Sequence, residues 1–171
     1  VHAEVYAGGD PAAFAALYFG LDGATITGNG DDGVDITATA DDGSTVGVNG
    51  YIYNSTIDGN NDDGLYLSLT AYAASYVGSS WNIAGSSLSN NDDDGIDIEV
   101  QAYGDGSVVD LYFDVYNTDI DENGSNGVEF DTEASGGIAF VYVDLYFDAS
   151  SISGNDAGGF DGYVLSLDNS S

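Results

Sequence analysis

The chain contains no lysine and no arginine against 30 aspartates and glutamates, a formal net charge of −30 over 171 residues. With no cationic side chain to neutralise phosphate, nucleic acid is excluded as a partner, and anionic membrane surfaces with it. Cysteine and methionine are absent, which removes disulfides, thiolate metal sites and a cysteine nucleophile. There is one proline, and the single histidine, His2, sits near a flexible start with no evident base or orienting partner. No apolar run is long enough to cross a bilayer as a helix, so membrane insertion is not expected. Apolar residues nevertheless make up 43% of the chain, enough for a core and too many for disorder.

What the chain does contain is repetition. Five copies of one motif recur: Ile26-Thr-Gly-Asn29-Gly-Asp-Asp-Gly33, Ile57-Asp-Gly-Asn60-Asn-Asp-Asp-Gly64, Leu88-Ser-Asn-Asn91-Asp-Asp-Asp-Gly95, Ile120-Asp-Glu-Asn123-Gly-Ser-Asn-Gly127 and Ile152-Ser-Gly-Asn155-Asp-Ala-Gly-Gly159. Their final glycines step by 31, 31, 32 and 32 residues. A fixed period of this size marks stacked units, each unable to bury its apolar face alone. After the motif, apolar and polar side chains alternate. Ile96, Ile98, Val100 and Ala102 face one way and Asp97, Glu99 and Gln101 the other, and Val34, Ile36 and Ala38 repeat the pattern. A second alternating run sets Val109, Leu111, Phe113 and Val115 inward. One repeat on, Val141, Val143, Leu145 and Phe147 do the same. Period two means half-buried strands, and the motif aliphatic supplies a third, shorter side.

Three strands per 31–32 residues with no helical pattern between them predict an all-β, right-handed parallel β-helix of about five to six coils. Residues 1–171 form one domain, with 1–23 an N-terminal partial coil or cap and 24–171 the regular coils. Within the first segment Ala15, Leu17, Phe19 and Leu21 match Val46, Val48, Gly50 and Ile52 one turn later. That match favours a strand over a short capping helix from Pro11. Leucine-rich repeats have shorter periods, and a βαβ repeat needs an amphipathic helix that the second run does not provide. The chain starts at Val1 without Met and reads as a processed or excised segment. Neither end carries a convincing cap, so the chain is either cut from a longer solenoid or meant to stack end on end.

The pattern Ile-x-x-Asn-x-x-Asp-Gly-Ile-x-Ile, with Asn and Gly in register, resembles the right-handed parallel β-helix repeats of the pectin-lyase-like superfamily, and the repeat segments of large surface proteins. The resemblance covers nearly the whole chain and speaks to fold, since fold alone licenses no activity. It implies that lyase relatives abstract a proton with Arg or Lys, and that polygalacturonase-like relatives pair carboxylates with a histidine and a basic clamp. This chain has no Arg or Lys, and its paired carboxylates repeat at one spacing instead of marking a unique pair. It is therefore expected not to be an enzyme.

Three sets of residues remain as candidate sites. Asn29, Asn60, Asn91, Asn123 and Asn155 are expected to stack as an internal ladder at about 4.8 Å, with the motif glycines supplying positive φ at a sharp corner. Asp31, Asp62 and Asp93 form one column and Asp32, Asp63 and Asp94 the next, with Asp92 added in the third coil. Carboxylates ~4.8 Å apart repel by about 0.9 kcal/mol per pair even in water. Ca²⁺ or another divalent cation would relieve this; a solvated acidic ridge tolerated in high salt is the alternative. The motif partly resembles the nonapeptide calcium roll, which repeats in tandem every nine residues as this chain does not. Outward Tyr51, Tyr53, Tyr112, Tyr116, Tyr142 and Tyr146 offer a contact face for sugar rings or neighbouring chains, or reflect β-propensity on an exposed strand. Trp81 takes the inward slot of Phe113. The sequons at Asn54, Asn123 and Asn169 agree with an exported protein. Together these features point to an extracellular or cell-surface structural protein, a β-helix subunit of a filament, sheath or adhesin stalk whose partner is itself. A carbohydrate-binding module that takes a polysaccharide is the competing class.

Overall fold

The computed structural model of the protein describes residues 1–167, and every described strand pair is parallel. Sheet A comprises β1 (His2–Ala7), β4 (Val34–Ala40), β7 (Leu65–Tyr72), β10 (Ile96–Tyr103), β13 (Asn126–Ser135) and β16 (Gly158–Leu167), in that order. Sheet B runs β2 (Phe14–Asp22), β5 (Thr45–Tyr53), β8 (Tyr76–Ala84), β11 (Val108–Tyr116) and β14 (Phe140–Asp148). Sheet C runs β3 (Thr25–Thr27), β6 (Thr56–Asp58), β9 (Ser87–Ser89), β12 (Asp119–Asp121) and β15 (Ser151–Ser153). The chain visits A, B and C in turn and then climbs one rung, which makes a parallel β-helix of about five turns with three strands per coil.

Alternation along each strand decides what is inside. Val34, Leu65, Ile96 and Val128 share one inward lane, and Ile36, Leu67, Ile98 and Phe130 another. All eight are buried. Ile26, Ile57, Leu88, Ile120 and Ile152 line up along sheet C. In sheet B the lane Phe19–Gly50–Trp81–Phe113–Leu145 needs its glycine. A Cβ on Gly50 would come within 2.3 Å of the Trp81 ring, and the space it leaves lets Phe19 approach that ring to 6.0 Å between centroids. Trp81 is 1% exposed, and its indole N–H donates to Ser79 Oγ at 3.0 Å. Residues 1–23 contain strands β1 and β2 and no helix, with Ala15, Leu17, Phe19 and Leu21 paired with Val46, Val48, Gly50 and Ile52.

The difference between 31 and 32 residues per turn goes into the corner between sheets A and B. From Ala71 to Tyr76 the chain takes five steps, and from Ala102 to Val108 and Ala134 to Phe140 six, while the flanking strands stay in register. At the two ends the core is less covered. Inward Val141, Val143, Leu145, Phe147 and Ile152 at one end, and Ala15, Leu17, Phe19, Leu21 and Ile26 at the other, are only partly buried.

Candidate functional site

The corner between sheets C and A carries most of the chain's polar chemistry. Four of the five ladder asparagines donate twice to the next coil, from the backbone N–H and from the side-chain amide, and both bonds end on one Oδ1. Asn29, Asn60, Asn91 and Asn123 send Nδ2–H to Asn60, Asn91, Asn123 and Asn155 at 2.7, 2.8, 3.0 and 2.9 Å. The backbone bonds run at 3.0–3.2 Å. Asn60, Asn91 and Asn123 are essentially fully buried, so each amide is satisfied by its neighbours and none faces a ligand. Burial also takes the Asn123 sequon out of reach of a modifying enzyme in the folded chain, while Asn54 is exposed and Asn169 lies outside the described residues.

The motif glycines do not have positive φ, which corrects the expectation from sequence. Left-handed backbone occurs five residues before each of them, at Gly28, Gly59, Asn90, Glu122 and Gly154. What Gly33, Gly64, Gly95 and Gly127 supply is closeness. A Cβ on Gly33 would lie 2.4 Å from Ile57 Cγ2 and 2.8 Å from Asn60 Nδ2, and one on Gly64 2.5 Å from the Gly95 carbonyl oxygen. Any side chain there would push the coils apart and break the asparagine ladder.

The two aspartate columns behave differently. Asp32, Asp63 and Asp94 turn back on the backbone. Their Oδ1 atoms accept N–H bonds from Asp63, Asp94 and Asn126 of the following coil, at 3.1, 2.8 and 2.5 Å. Asp63 and Asp94 are 7% and 5% exposed. Burial, with the charges of Asp97, Asp94 and Asp32 beside it, pushes the Asp63 carboxyl up to about 8. Burial and the Glu129 and Asp93 charges move Asp94 up to about 6, and burial with Glu99 and Glu129 moves Asp97 up to about 7. The outer column is wetter. Burial and the flanking Asp93 and Asp31 charges also raise Asp62.

One carboxylate oxygen from each of Asp31, Asp32 and Asp62, and from each of Asp62, Asp63 and Asp93, lies within 4.8 Å of the others. Among the described residues these two triads are the groups that could hold a hard cation, and the last two coils offer Ser125-Asn126 and Ala157-Gly158 in the same lanes. Of the seven candidate aspartates, Asp92 and Asp94 fall outside both triads. Asp92 is exposed, and Asp94 is committed to the Asn126 N–H. At the first coil, Asp31, Asp32 and Asp35 border a hollow of about 330 Å³ together with His2. His2 contacts Asp35 through Nδ1, so the histidine that lacks an orienting partner in the sequence has one in the fold. The other Asp35 oxygen is buried without a hydrogen-bond partner.

All six candidate tyrosines fall on the outer face of sheet B, where β11 and β14 form a checkerboard. Asp110, Tyr112, Asp114 and Tyr116 lie opposite Tyr142, Asp144, Tyr146 and Asp148. Each carboxylate thus faces a ring instead of another carboxylate on the neighbouring strand, which avoids like charges directly opposite one another. Tyr112 and Tyr146 approach to 5.4 Å between centroids and Tyr51 and Tyr53 to 4.8 Å. Tyr18, 81% exposed, belongs to the same face and went unnoticed in the sequence. So did the serine and threonine ladders at the other two corners. Between sheets B and C, Ser55, Ser86, Thr118 and Ser150 accept N–H bonds from Ala24, Ser55, Ser86 and Thr118 at 3.1–3.4 Å, and between sheets A and B, Ser75 and Ser107 accept from Gly43 and Ala74 at 3.0 and 3.1 Å. Their 31- and 32-residue spacing was the available signal.

No protein-family model, no curated protein and no solved structure matches the chain, and the likeness to pectin-lyase-like repeats therefore rests on the coil pattern alone.

Proposed function

We propose that the protein is a structural β-helix of the cell surface or extracellular space, which builds a filament, sheath or stalk by stacking end to end on copies of itself. The observation that supports this reading is that the same lanes run in register through every described coil, so that any further coil, of the same chain or of a copy, would continue them. A cavity of about 440 Å³ opens at the C-terminal end between sheets A and B, lined among others by Phe130, Val141, Val143 and Val164. A further coil would complete the burial of about ten apolar side chains at a junction, which is worth on the order of 10 kcal/mol before the cost of association. The carboxylates repeat from coil to coil instead of forming a unique pair, and those of Asp32, Asp63 and Asp94 accept backbone N–H bonds, which supports a non-enzymatic role. A chain without lysine or arginine gives trypsin-like proteases no cleavage site, a property that suits a durable exported polymer. Cryo-electron microscopy of the purified chain, concentrated in molar salt, tests the reading. Filaments are expected, and a monodisperse monomer under those conditions defeats it.

The exposed Tyr112–Tyr146 pair favours a second reading, a glycan-binding face. Affinity for neutral oligosaccharides, lost in Tyr112→Ala or Tyr146→Ala with assembly intact, would support it.

A further inference from the structure

We infer that Tyr72 and Tyr103 form an oxidative cross-linking site, at which an oxidant of the haem peroxidase class, working with hydrogen peroxide, joins neighbouring coils through a dityrosine bond. The two side chains stand on the outer face of sheet A, directly opposite one another on β7 and β10. Their rings are stacked, 5.3 Å apart between centroids and 18° from parallel. Tyr72 is 40% exposed and Tyr103 half-buried, so an oxidant can reach the pair from solvent. The Tyr103 hydroxyl donates to Glu133 Oε2 at 2.9 Å, and the other oxygen of that carboxylate accepts from Ser135 Oγ at 3.3 Å. A base is thereby held against the phenol.

The composition directs oxidation to tyrosine. Cysteine and methionine, the usual sinks for oxidants, are absent, and Trp81 is 1% exposed. Of the described tyrosines, only this pair unites a stacked partner with a hydrogen-bonded carboxylate. The rings of Tyr51 and Tyr53 lie 31° from parallel and those of Tyr112 and Tyr146 37°. Tyr66 donates to Glu99 and Tyr76 to Asp110, but neither ring packs on another tyrosine among the described residues.

A phenol that loses an electron becomes a strong acid, so the electron leaves readily where a base stands ready for the proton. Burial and the Glu133 bond push the Tyr103 hydroxyl up to about 12. At neutral pH it keeps its proton until oxidation, and Glu133 then takes it. Tyr72 releases its proton to water. The two phenoxyl radicals couple through one ortho carbon each, forming a C–C bond. The hydrogen on each of those carbons then moves to a phenol oxygen and restores both rings. In sum, two electrons and two protons leave the tyrosines and reduce one hydrogen peroxide to two waters. The link spans 31 residues of chain and clips β7 to β10, restraining the unfolded chain as a disulfide would. It depends on two rings of one chain and not on assembly.

The test treats the dilute full chain with a haem peroxidase and limiting hydrogen peroxide at neutral pH. Dityrosine fluorescence follows the reaction, and mass spectrometry maps the linked peptides after cleavage beside aspartate. The expected product is an intramolecular Tyr72–Tyr103 link, lighter than the starting chain by two hydrogens. Tyr72→Phe and Tyr103→Phe keep the ring packing and should each lower the yield at least fivefold, while Tyr112→Phe should leave it unchanged. In Glu133→Gln the amide oxygen can still accept the Tyr103 hydrogen bond but is no base. That variant should melt like the wild type and cross-link at least threefold more slowly. An unchanged yield in Tyr72→Phe, or links that map to Tyr112 and Tyr146 or between chains, would overturn the site. Cross-linking of Glu133→Gln at the wild-type rate would overturn the part given to Glu133.

Discussion

Replacing Asp63 by Asn should stabilise the protein at neutral and alkaline pH and leave it nearly unchanged in acid. Asp63 is 7% exposed, and its Oδ1 accepts the Asp94 N–H at 2.8 Å. An Asn Oδ1 can accept the same bond, and the fold already uses Asn126 in this lane, where its Nδ2 donates to Glu129 at 2.8 Å. Burial raises the native Asp63 carboxyl from 3.8 to about 8, while in the unfolded chain it keeps its ordinary value. Between those pH values the native state holds a proton that the unfolded state has released, so stability falls as pH rises. The contribution is whole below pH 3.8 and gone above about 8. At about 1.4 kcal/mol per pH unit the interval corresponds to on the order of 5 kcal/mol. Asp94 and Asp97 ionise in the same acidic field, so a single substitution should recover part of it, about 3 kcal/mol at pH 8, or roughly 6–12 °C in melting temperature for a domain of this size. Thermal and denaturant melts of both proteins at pH 4, 6 and 8, at one salt concentration, measure it. A difference independent of pH, or a variant less stable than the wild type at pH 8, would refute the assignment of Asp63 as a buried neutral acid.

Gly95→Ala should cost about 1–3 kcal/mol through overpacking, because the new Cβ would lie 2.4 Å from Ile120 Cγ2 and 2.7 Å from Asn123 Nδ2; denaturant melts check this, and a neutral result would mean that the coils are more loosely stacked. Glu122 has φ of 57° in the lane held elsewhere by Gly28, Gly59, Asn90 and Gly154, so Glu122→Gly should raise stability by about 1 kcal/mol as backbone strain is relieved. Transfer from molar salt to about 0.01 M lengthens the screening distance from about 3 to about 30 Å and should lower the melting temperature markedly. If a cation sits in the Asp31–Asp32–Asp62 or the Asp62–Asp63–Asp93 triad, a chelator in unchanged high salt should lower it too, and an unaltered melt on chelation removes a structural cation from that corner.

The coil was legible because one residue type recurs in one place. Matching Ala15, Leu17, Phe19 and Leu21 to the next turn found the first coil without any motif to mark it, since inward residues of a stacked strand are chosen by the same core. Spacing, however, says which residues share a lane and not which way they turn. The two aspartate columns read alike in the sequence, yet the Asp63 column bends inward to meet backbone donors that only the folded corner presents. The motif glycines had two physical explanations, left-handed backbone or close approach, and letters alone cannot separate them. His2 acquired its carboxylate from Asp35, a turn away in sequence and adjacent in space. The serine and threonine ladders escaped notice because small hydroxyl side chains are common in any acidic, glycine-rich chain.

The corner between sheets A and B absorbs extra residues while every lane beside it stays aligned. Length variation there is local, so a foreign peptide grafted between Gly104 and Ser107 should project from the shaft without disturbing the windings above or below. If copies stack as proposed, such grafts would recur along one side of the assembly, which would make this bend the place to decorate it.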